Sequence, residues 1–183
     1  MEIDIVPFGG VEDENANIAW PPGDEEVLNT SGFKEACDNA EAVRIDNKSN
    51  TDIPVATPVG MTLLKLISWM DRSPDLRKKD AKDLAYLMKT YETIAEIQEN
   101  LYENTELMER YEWDITLAAA NLLGRHVKKI AQANTHLQIE ALANNKLAKF
   151  STELLAEEMC THIENEIEHK KQLVTAFFGG YSD

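Results

Sequence analysis

The chain has 183 residues, of which 18 are Lys or Arg and 33 are Asp or Glu, so its formal net charge is −15 with neutral His. Hydrophobic residues make up 43% and charged residues 28%, as in folded soluble domains, which argues against intrinsic disorder. Because phosphate backbones are also negative, this charge disfavours broad non-specific binding to nucleic acids.

The two cysteines indicate a reducing compartment. Cys37 and Cys160 lie far apart, and neither has CxxC or CxxH spacing around it. No stretch approaches the length of an apolar membrane span, and the first residues are acidic where a signal peptide is basic. We therefore predict a cytoplasmic protein that is neither secreted nor inserted in a membrane.

Charge and helix-breaking residues divide the chain near Thr57. Residues 1–60 hold 3 basic and 13 acidic residues together with five of the six prolines. Residues 75–178 contain no proline and Gly124 as their one glycine, a composition typical of helices. We predict an α+β protein, with a small N-terminal mixed sheet in residues 1–57 and a helical bundle in residues 58–183.

The segment before Thr57 predicts three short strands and one short helix. In EIDIVPF, Glu2 and Asp4 alternate with isoleucines, which is the period of a half-buried strand. AVRI at 42–45 and IPVAT at 53–57 are two further strands, and residues 32–40 favour a helix between strands. Together these pieces predict one thin sheet.

Six helices are predicted after the boundary. Thr57 and Pro58 are typical of the N-cap and first residue of a helix, and Ser73 with Pro74 repeats the pattern. Four more helices are expected near residues 92–101, 104–123, 125–147 and 151–177, where apolar residues recur every three or four positions. This spacing predicts a packed bundle.

Residues 61–84 contain the candidate binding residues. Lys65 and Arg72 are seven positions apart, so both project from one face of a largely apolar helix. A buried cation needs an anionic partner, and a phosphate group is one such partner. The alternative is that Lys65 pairs with Asp80 or Asp83 inside the bundle, where these carboxylates would orient both cations.

The other charged and titratable residues of the helical segment are interpreted as solvated. Four basic residues alternate with acids, as on an exposed helix face: Arg77, Lys78, Lys79 and Lys82. The four histidines lack the spacing of a metal site: His126, His136, His162 and His169. His162 and His169 do share one helix face with Glu158 and Glu166.

Asp4 and Glu2 are the candidate metal ligands. They lie two positions apart on one face of the predicted first strand. Mg²⁺ in phosphoryl-transfer sites is held by one or two carboxylates together with substrate phosphates, and this spacing suits that geometry. The alternative is the acidic outward face of an edge strand.

Several segments, taken in their order and spacing, carry a resemblance to a known family. Over about residues 1–125 the chain resembles the nucleotidyltransferase family of the AbiEii toxins, through EIDIVPFGG, IAWPP, SGFKEA, IPVATPVGMTLLKLISWMDR and KKDAKDL. This family belongs to the polymerase-β-like nucleotidyltransferases. The resemblance implies that residues 1–57 are a partial nucleotidyltransferase sheet.

The resemblance also implies roles for particular residues. Asp4 matches the family's third catalytic carboxylate, and Lys65 and Arg72 match its Lys-x6-Arg helix near the nucleotide phosphates. Asp80 and Asp83 match its KDxxDL segment. The implied reaction is transfer of a nucleoside monophosphate from a Mg²⁺-bound nucleoside triphosphate to RNA or protein, in a toxin that has a cognate antitoxin.

The chain also departs from that family's pattern, because it begins at the third-carboxylate strand and contains no Gly-Ser turn and no Asp-x-Asp pair. Two metal ions need a shared set of carboxylates, so we expect this chain alone to be inactive as a transferase. The absent strands would leave a sheet edge exposed beside residues 2–8, where a second copy could pair.

Two other functions remain open at this stage. One is a non-catalytic helical module for interaction or oligomerisation. The other is a regulatory helical protein unrelated to nucleotides, which predicts that Lys65 and Arg72 are paired internally and lie far from Asp4.

Overall fold

A computed structural model describes residues 5–14, 16–20, 26–46, 50–160 and 167–183. Within these ranges the chain forms four strands and nine α-helices. The front segment holds β1 (Asn17–Trp20), β2 (Glu26–Asn29), α1 (Phe33–Asp38), β3 (Glu41–Asp46) and β4 (Thr51–Val55). The helical segment holds α2 (Pro58–Asp71), α3 (Pro74–Thr90), α4 (Ala95–Glu103), α5 (Thr105–Arg110), α6 (Ile115–Ile130), α7 (Ala133–Ala143), α8 (Thr152–Glu158) and α9 (Ile167–Ser182).

The α+β class is confirmed, but the described residues of the front segment form two separate sheets instead of one mixed sheet. β1 pairs with β2 and β3 pairs with β4, each as an antiparallel hairpin. The prediction of one mixed sheet was wrong because each strand pairs with its neighbour in sequence, across a short connection. The strands at 42–45 and 53–57 and the helix within 32–40 are found as β3, β4 and α1.

The predicted first strand is not found in the part of it that the structure describes. Its residues 2–4 lie outside the described ranges, and Ile5–Phe8 belong to no strand or helix. Phe8 instead packs edge-to-face on Phe33, with the ring centroids 5.8 Å apart.

The hairpin of β3 and β4 is exposed along its whole length. Val43 lies opposite Ile53, and both side chains are more than two-fifths exposed. Arg44 forms an ion pair with Asp52 across the strands. An isolated two-stranded hairpin is marginally stable in water, so an exposed apolar face on one is unusual.

Thr57 and Pro58 begin α2 as predicted. The Thr57 hydroxyl accepts a hydrogen bond from the Gly60 amide at 3.2 Å, and Pro58 is the first helical residue. A Cβ on Gly60 would lie 3.2 Å from the Ala36 Cα, so this glycine lets α1 pack closely on α2. The front segment therefore packs against the helical bundle through α1.

The helices after α3 begin and end at different residues from those predicted. Glu112 and Trp113 have positive φ angles of 53° and 67°, and they break the predicted helix 104–123 into α5 and α6. Asp114 caps α6 by accepting a hydrogen bond from the Leu117 amide at 3.0 Å. The predicted helix 151–177 is represented by α8 and α9.

Gly124 lies inside α6 and does not end a helix. A Cβ there would lie 2.0 Å from the Phe177 carbonyl oxygen, and a Cβ on Gly180 would lie 1.9 Å from the Asn121 carbonyl oxygen. The two glycines therefore let the backbones of α6 and α9 come into contact, and Asn121 donates to the Ala176 carbonyl at 3.2 Å across the crossing. Buried residues of both helices, among them Leu123 and Phe177, belong to the hydrophobic core.

Among the described residues, no helix combines the length and the apolarity that crossing a bilayer would require.

Candidate functional site

The structure brings together the four candidate residues of segment 61–84. The Lys65 Nζ lies 2.9 Å from an Asp80 oxygen and 2.7 Å from an Asp83 oxygen. Arg72 donates from its Nη1 to both Asp80 oxygens, at 3.1 and 2.9 Å. We call these four residues the α2–α3 charge cluster.

The cluster forms because two helices meet at a tight connection. Lys65 lies on α2, and Arg72 is the residue that ends α2 with an extended conformation. Pro74 begins α3 two residues later, so α3 returns along α2 and places Asp80 beside both cations. The seven-residue spacing of Lys65 and Arg72 thus positions them on one carboxylate.

Burial differs sharply within the cluster. The Asp80 side chain has no exposed area, whereas Arg72 is 46% exposed and Asp83 is 41% exposed. Burial of Lys65 works against its charge, but the hydrogen bonds with Asp83 and Asp80 outweigh that effect and raise the pKa of its ammonium. Lys65 therefore stays protonated at neutral pH.

The internal pairing of Lys65 that the sequence left open is present with both carboxylates. Two cations and two carboxylates make the cluster neutral in formal charge. Both Arg72 hydrogen bonds leave from Nη1, and 46% of the Arg72 side chain is exposed. The cluster is held together from within and keeps one accessible guanidinium.

The candidate metal ligands Asp4 and Glu2 lie outside the described residues. Among the residues that are described, no group of three or more His, Cys, Asp or Glu side chains could hold a metal ion.

A second ionic contact was missed by the sequence analysis. Arg77 makes a bidentate pair with Glu158 of α8, with the shortest contact at 2.8 Å, and the two side chains are 12% and 9% exposed. The Trp69 Nε1–H donates to the same carboxylate at 2.7 Å, and the Arg77 guanidinium lies over the Trp69 and Phe150 rings.

The prediction that Arg77 and Glu158 are solvated was therefore wrong. Lys78, Lys79 and Lys82 are exposed as expected. Arg77 differs because it faces α8, which contributes a carboxylate from a position 81 residues away. No local spacing in the sequence signals a contact of that kind.

Two of the four histidines are also less exposed than predicted. The His126 Nδ1 lies 2.7 Å from the Tyr91 hydroxyl oxygen, and the His136 Nδ1 lies 3.0 Å from that of Tyr181. Both are partly buried side chains that contribute to packing, whereas His169 is exposed as expected. His162 and Glu166 lie outside the described residues.

A polar cavity of about 440 Å³ lies where the front segment meets α7. The buried Glu35 carboxylate on its wall accepts hydrogen bonds from the Thr135 hydroxyl at 2.6 Å and the Gln132 amide at 3.3 Å. Glu35 thereby caps the first turn of α7 from a residue about 100 positions earlier. The cavity's one deeply buried charge is thus used for structure.

No protein-family model, no curated protein and no solved structure matches this chain.

Proposed function

We propose that this chain binds the phosphates of a nucleoside triphosphate through Arg72 and Lys65, without catalysing nucleotidyl transfer on its own. The observation that carries the proposal is the half-exposed Arg72 guanidinium, held from behind by the fully buried Asp80. A planar guanidinium with free N–H groups suits bidentate contact with a phosphate. The choice of a nucleoside triphosphate as the ligand rests on the resemblance to the AbiEii nucleotidyltransferases.

The cluster's own carboxylates limit how tight this binding can be. Asp83 is partly exposed and lies 2.7 Å from Lys65, so an incoming phosphate competes with it for the ammonium. Asp80 is buried, and a phosphate that displaced it from Lys65 would leave its carboxylate buried without that partner, which costs free energy. Arg72 is therefore the primary phosphate contact in the proposal, and Lys65 contributes its charge at longer range.

Binding without transfer follows from the carboxylates that the chain offers. The sequence has no Gly-Ser turn and no Asp-x-Asp pair, so a two-metal reaction lacks its shared ligands. Asp4 and Glu2 remain the proposed Mg²⁺ ligands on the basis of the resemblance alone. An antitoxin partner is proposed on the same basis, and a cytoplasmic location is proposed from the cysteine spacing and the acidic first residues.

The test is isothermal titration of each Mg²⁺–nucleoside triphosphate into the wild-type chain and three variants. Arg72→Gln should weaken binding by about tenfold or more, which is the loss expected for a charge-assisted phosphate contact. Arg44→Gln is the matched control, since Arg44 is also in an ion pair and is 45% exposed. Asp4→Asn tests the proposed metal ligand.

Retained binding in Arg72→Gln, or an equal loss in Arg44→Gln, would contradict the proposal. A lowered melting temperature with unchanged affinity would instead assign the cluster a structural role.

A second candidate function, self-association, is favoured by the exposed hairpin of β3 and β4. The apolar residues Val43, Ile45, Ile53 and Val55 are all at least 42% exposed. A second copy of the chain could cover this face. Because each front segment is acidic, salt should promote association by screening the repulsion.

Light scattering at 50 and 500 mM NaCl tests this second function. We expect a larger mass at high salt, and Val43→Thr with Ile53→Thr should abolish the increase while keeping β-branched residues in the strands. A monomeric mass at both salt concentrations would exclude self-association through this face.

A further inference from the structure

A cluster of basic residues surrounds the C-terminal half of α6, in a chain that is otherwise strongly acidic. Residues 115–139 contain no Asp or Glu, although the whole chain holds 33 of them. Arg125, Lys128 and Lys129 lie within this segment, in the last turns of α6. Arg110, in the last turn of α5, adds a fourth cation. We call these four residues the α6 basic cluster.

Two of the four cations already hold an anionic group. One oxygen of the Asp183 carboxylate accepts from Arg110 Nη1 at 2.9 Å and from Arg125 Nη2 at 2.7 Å. The two arginines come from different helices and converge on a single oxygen atom. The hydrogen bond from Arg110 is the main effect that lowers the pKa of Asp183, so this carboxylate is ionised at neutral pH.

A cavity adjoins this arginine pair. Its volume is about 370 Å³, and Arg125, Lys128, Lys129, Gly180 and Asp183 line it. This volume is within the range of small-molecule sites. The lining includes three cations and one carboxylate, so the cavity is positive overall. Glu106, one turn before Arg110, also acts on that arginine.

Arg125 also has hydrogen-bonding capacity left over. Its Nε is buried and has no hydrogen-bond partner among the described residues. A buried N–H without an acceptor costs free energy, and native structures contain few of them. An anion with several acceptor oxygens could accept from this Nε. It could also give Arg110 Nη1 and Arg125 Nη2 separate acceptor atoms, whereas they now share one Asp183 oxygen.

Helix electrostatics alone account for only part of this arrangement. Lys128 and Lys129 in the last turn of α6 interact favourably with the negative end of the helix dipole. That effect does not require two arginines from separate helices to meet at one carboxylate, nor a cavity beside them. The pairing of Arg110 with Arg125 is the geometry expected for recognition of an oxyanion.

We propose that the α6 basic cluster is a binding site for a small phosphoryl anion, and that the Asp183 carboxylate is its internal competitor. The ligand class is a diphosphate group, either as inorganic pyrophosphate or as part of a nucleotide. Its oxygens replace Asp183 between Arg110 and Arg125 and reach Lys128 and Lys129 across the cavity. The proposal is independent of Arg72 and Lys65.

The test is isothermal titration of the full chain with inorganic pyrophosphate, and separately with ATP, in Mg²⁺-free buffer. Saturable pyrophosphate binding is expected in the wild type. Asp183→Asn should bind about tenfold tighter, because it removes a competing charge, and Lys128→Gln with Lys129→Gln should bind at least tenfold weaker. Lys78→Gln with Lys79→Gln removes the same charge from the exposed face of α3 and should stay within about twofold.

The outcomes separate this proposal from the one made for Arg72. Because pyrophosphate can also contact Arg72, the titrations are repeated in an Arg72→Gln background, where Asp183→Asn should still tighten pyrophosphate binding and Lys128→Gln with Lys129→Gln should still weaken it. Equal weakening by both lysine pairs would mean that only net charge matters, and it would overturn the proposal. Absence of saturable binding in both the wild type and Asp183→Asn would also overturn it, provided that melting curves show both chains folded. If ATP binds and pyrophosphate does not, the diphosphate assignment is wrong.

Discussion

The Lys65 ammonium and the Asp80 carboxylate form an ion pair of 2.9 Å that joins α2 to α3. Asp80 is fully buried and also accepts from Arg72, so one carboxylate contacts two cations. A buried carboxylate with two cationic partners stabilises a particular helix arrangement, and the same arrangement presents Arg72 to solvent. Structure and proposed binding thus depend on one residue.

The two acidic residues of this cluster should contribute unequally to stability. Asp80→Asn should lower the free energy of unfolding by about 3 kcal/mol, because it leaves two cations without their buried partner. Asp83→Asn should cost less than about 1 kcal/mol, since Asp83 is 41% exposed and water can replace it. Urea denaturation of both variants measures the difference. Equal losses would show that burial does not govern this cluster.

The α6–α9 crossing should be intolerant of added volume at two glycines and tolerant at a third. Gly124→Ala and Gly180→Ala should each cost at least about 3 kcal/mol, because the new Cβ would collide with backbone atoms that can move only with their helix. Gly179 is the matched control: its Cβ would find its nearest neighbour at 3.6 Å, an ordinary contact.

Gly179→Ala should therefore stabilise the protein by about 0.5 kcal/mol through helix propensity. Thermal and urea unfolding of the three variants test the ranking. A mild effect of Gly124→Ala would mean that α9 can shift away from α6.

The buried ion pair of Arg77 and Glu158 should show strong coupling in a double-mutant cycle. Glu158→Gln should cost about 3 kcal/mol, because it leaves the guanidinium buried without a counter-charge and weakens the acceptor of the Trp69 N–H. Arg77→Met alone should cost a similar amount. The double variant Arg77→Met with Glu158→Leu should be less destabilised than the sum of the single variants. Additive losses would contradict a direct interaction.

His126 should make stability depend on pH below neutrality. Burial is the main effect that lowers the pKa of this imidazole, and Lys129 and Arg125 add repulsion. Below about pH 6.5 the unfolded chain binds a proton that the folded chain does not, so stability is lost as the pH falls toward the folded-state pKa. The neighbouring Tyr91, whose pKa burial raises to about 12, stays protonated throughout.

The measurement is the melting temperature between pH 7.5 and 5.5. His126→Gln should lose less stability over this range than the wild type, whereas the exposed His169→Gln should follow the wild type. Parallel curves for all three proteins would show that His126 titrates equally in both states.

Local patterns predicted the parts of the fold that depend on neighbours in sequence. The Thr57 cap with Pro58, the start of α3 at Pro74 and the strands β3 and β4 followed from residue types at short spacing. The sequence also offered, as one alternative, the pairing of Lys65 with Asp80 or Asp83. This pairing could be predicted because α2 and α3 are joined by a tight turn. Their meeting needed no contact between distant segments.

Contacts over long sequence distances were decided by the tertiary structure. Arg77 reaches a glutamate 81 residues away, Glu35 caps a helix that begins about 100 residues later, and Asp183 lies between two arginines of other helices. Gly124 separates the predicted helices 104–123 and 125–147. In the fold it lies inside α6, at the point where α9 contacts that helix. The sequence by itself determined that the chain after Thr57 is helical and how charge is distributed between the two segments, because these depend on local spacing and composition. Only the tertiary structure decided which charges are buried, since burial depends on which distant helix packs against each one.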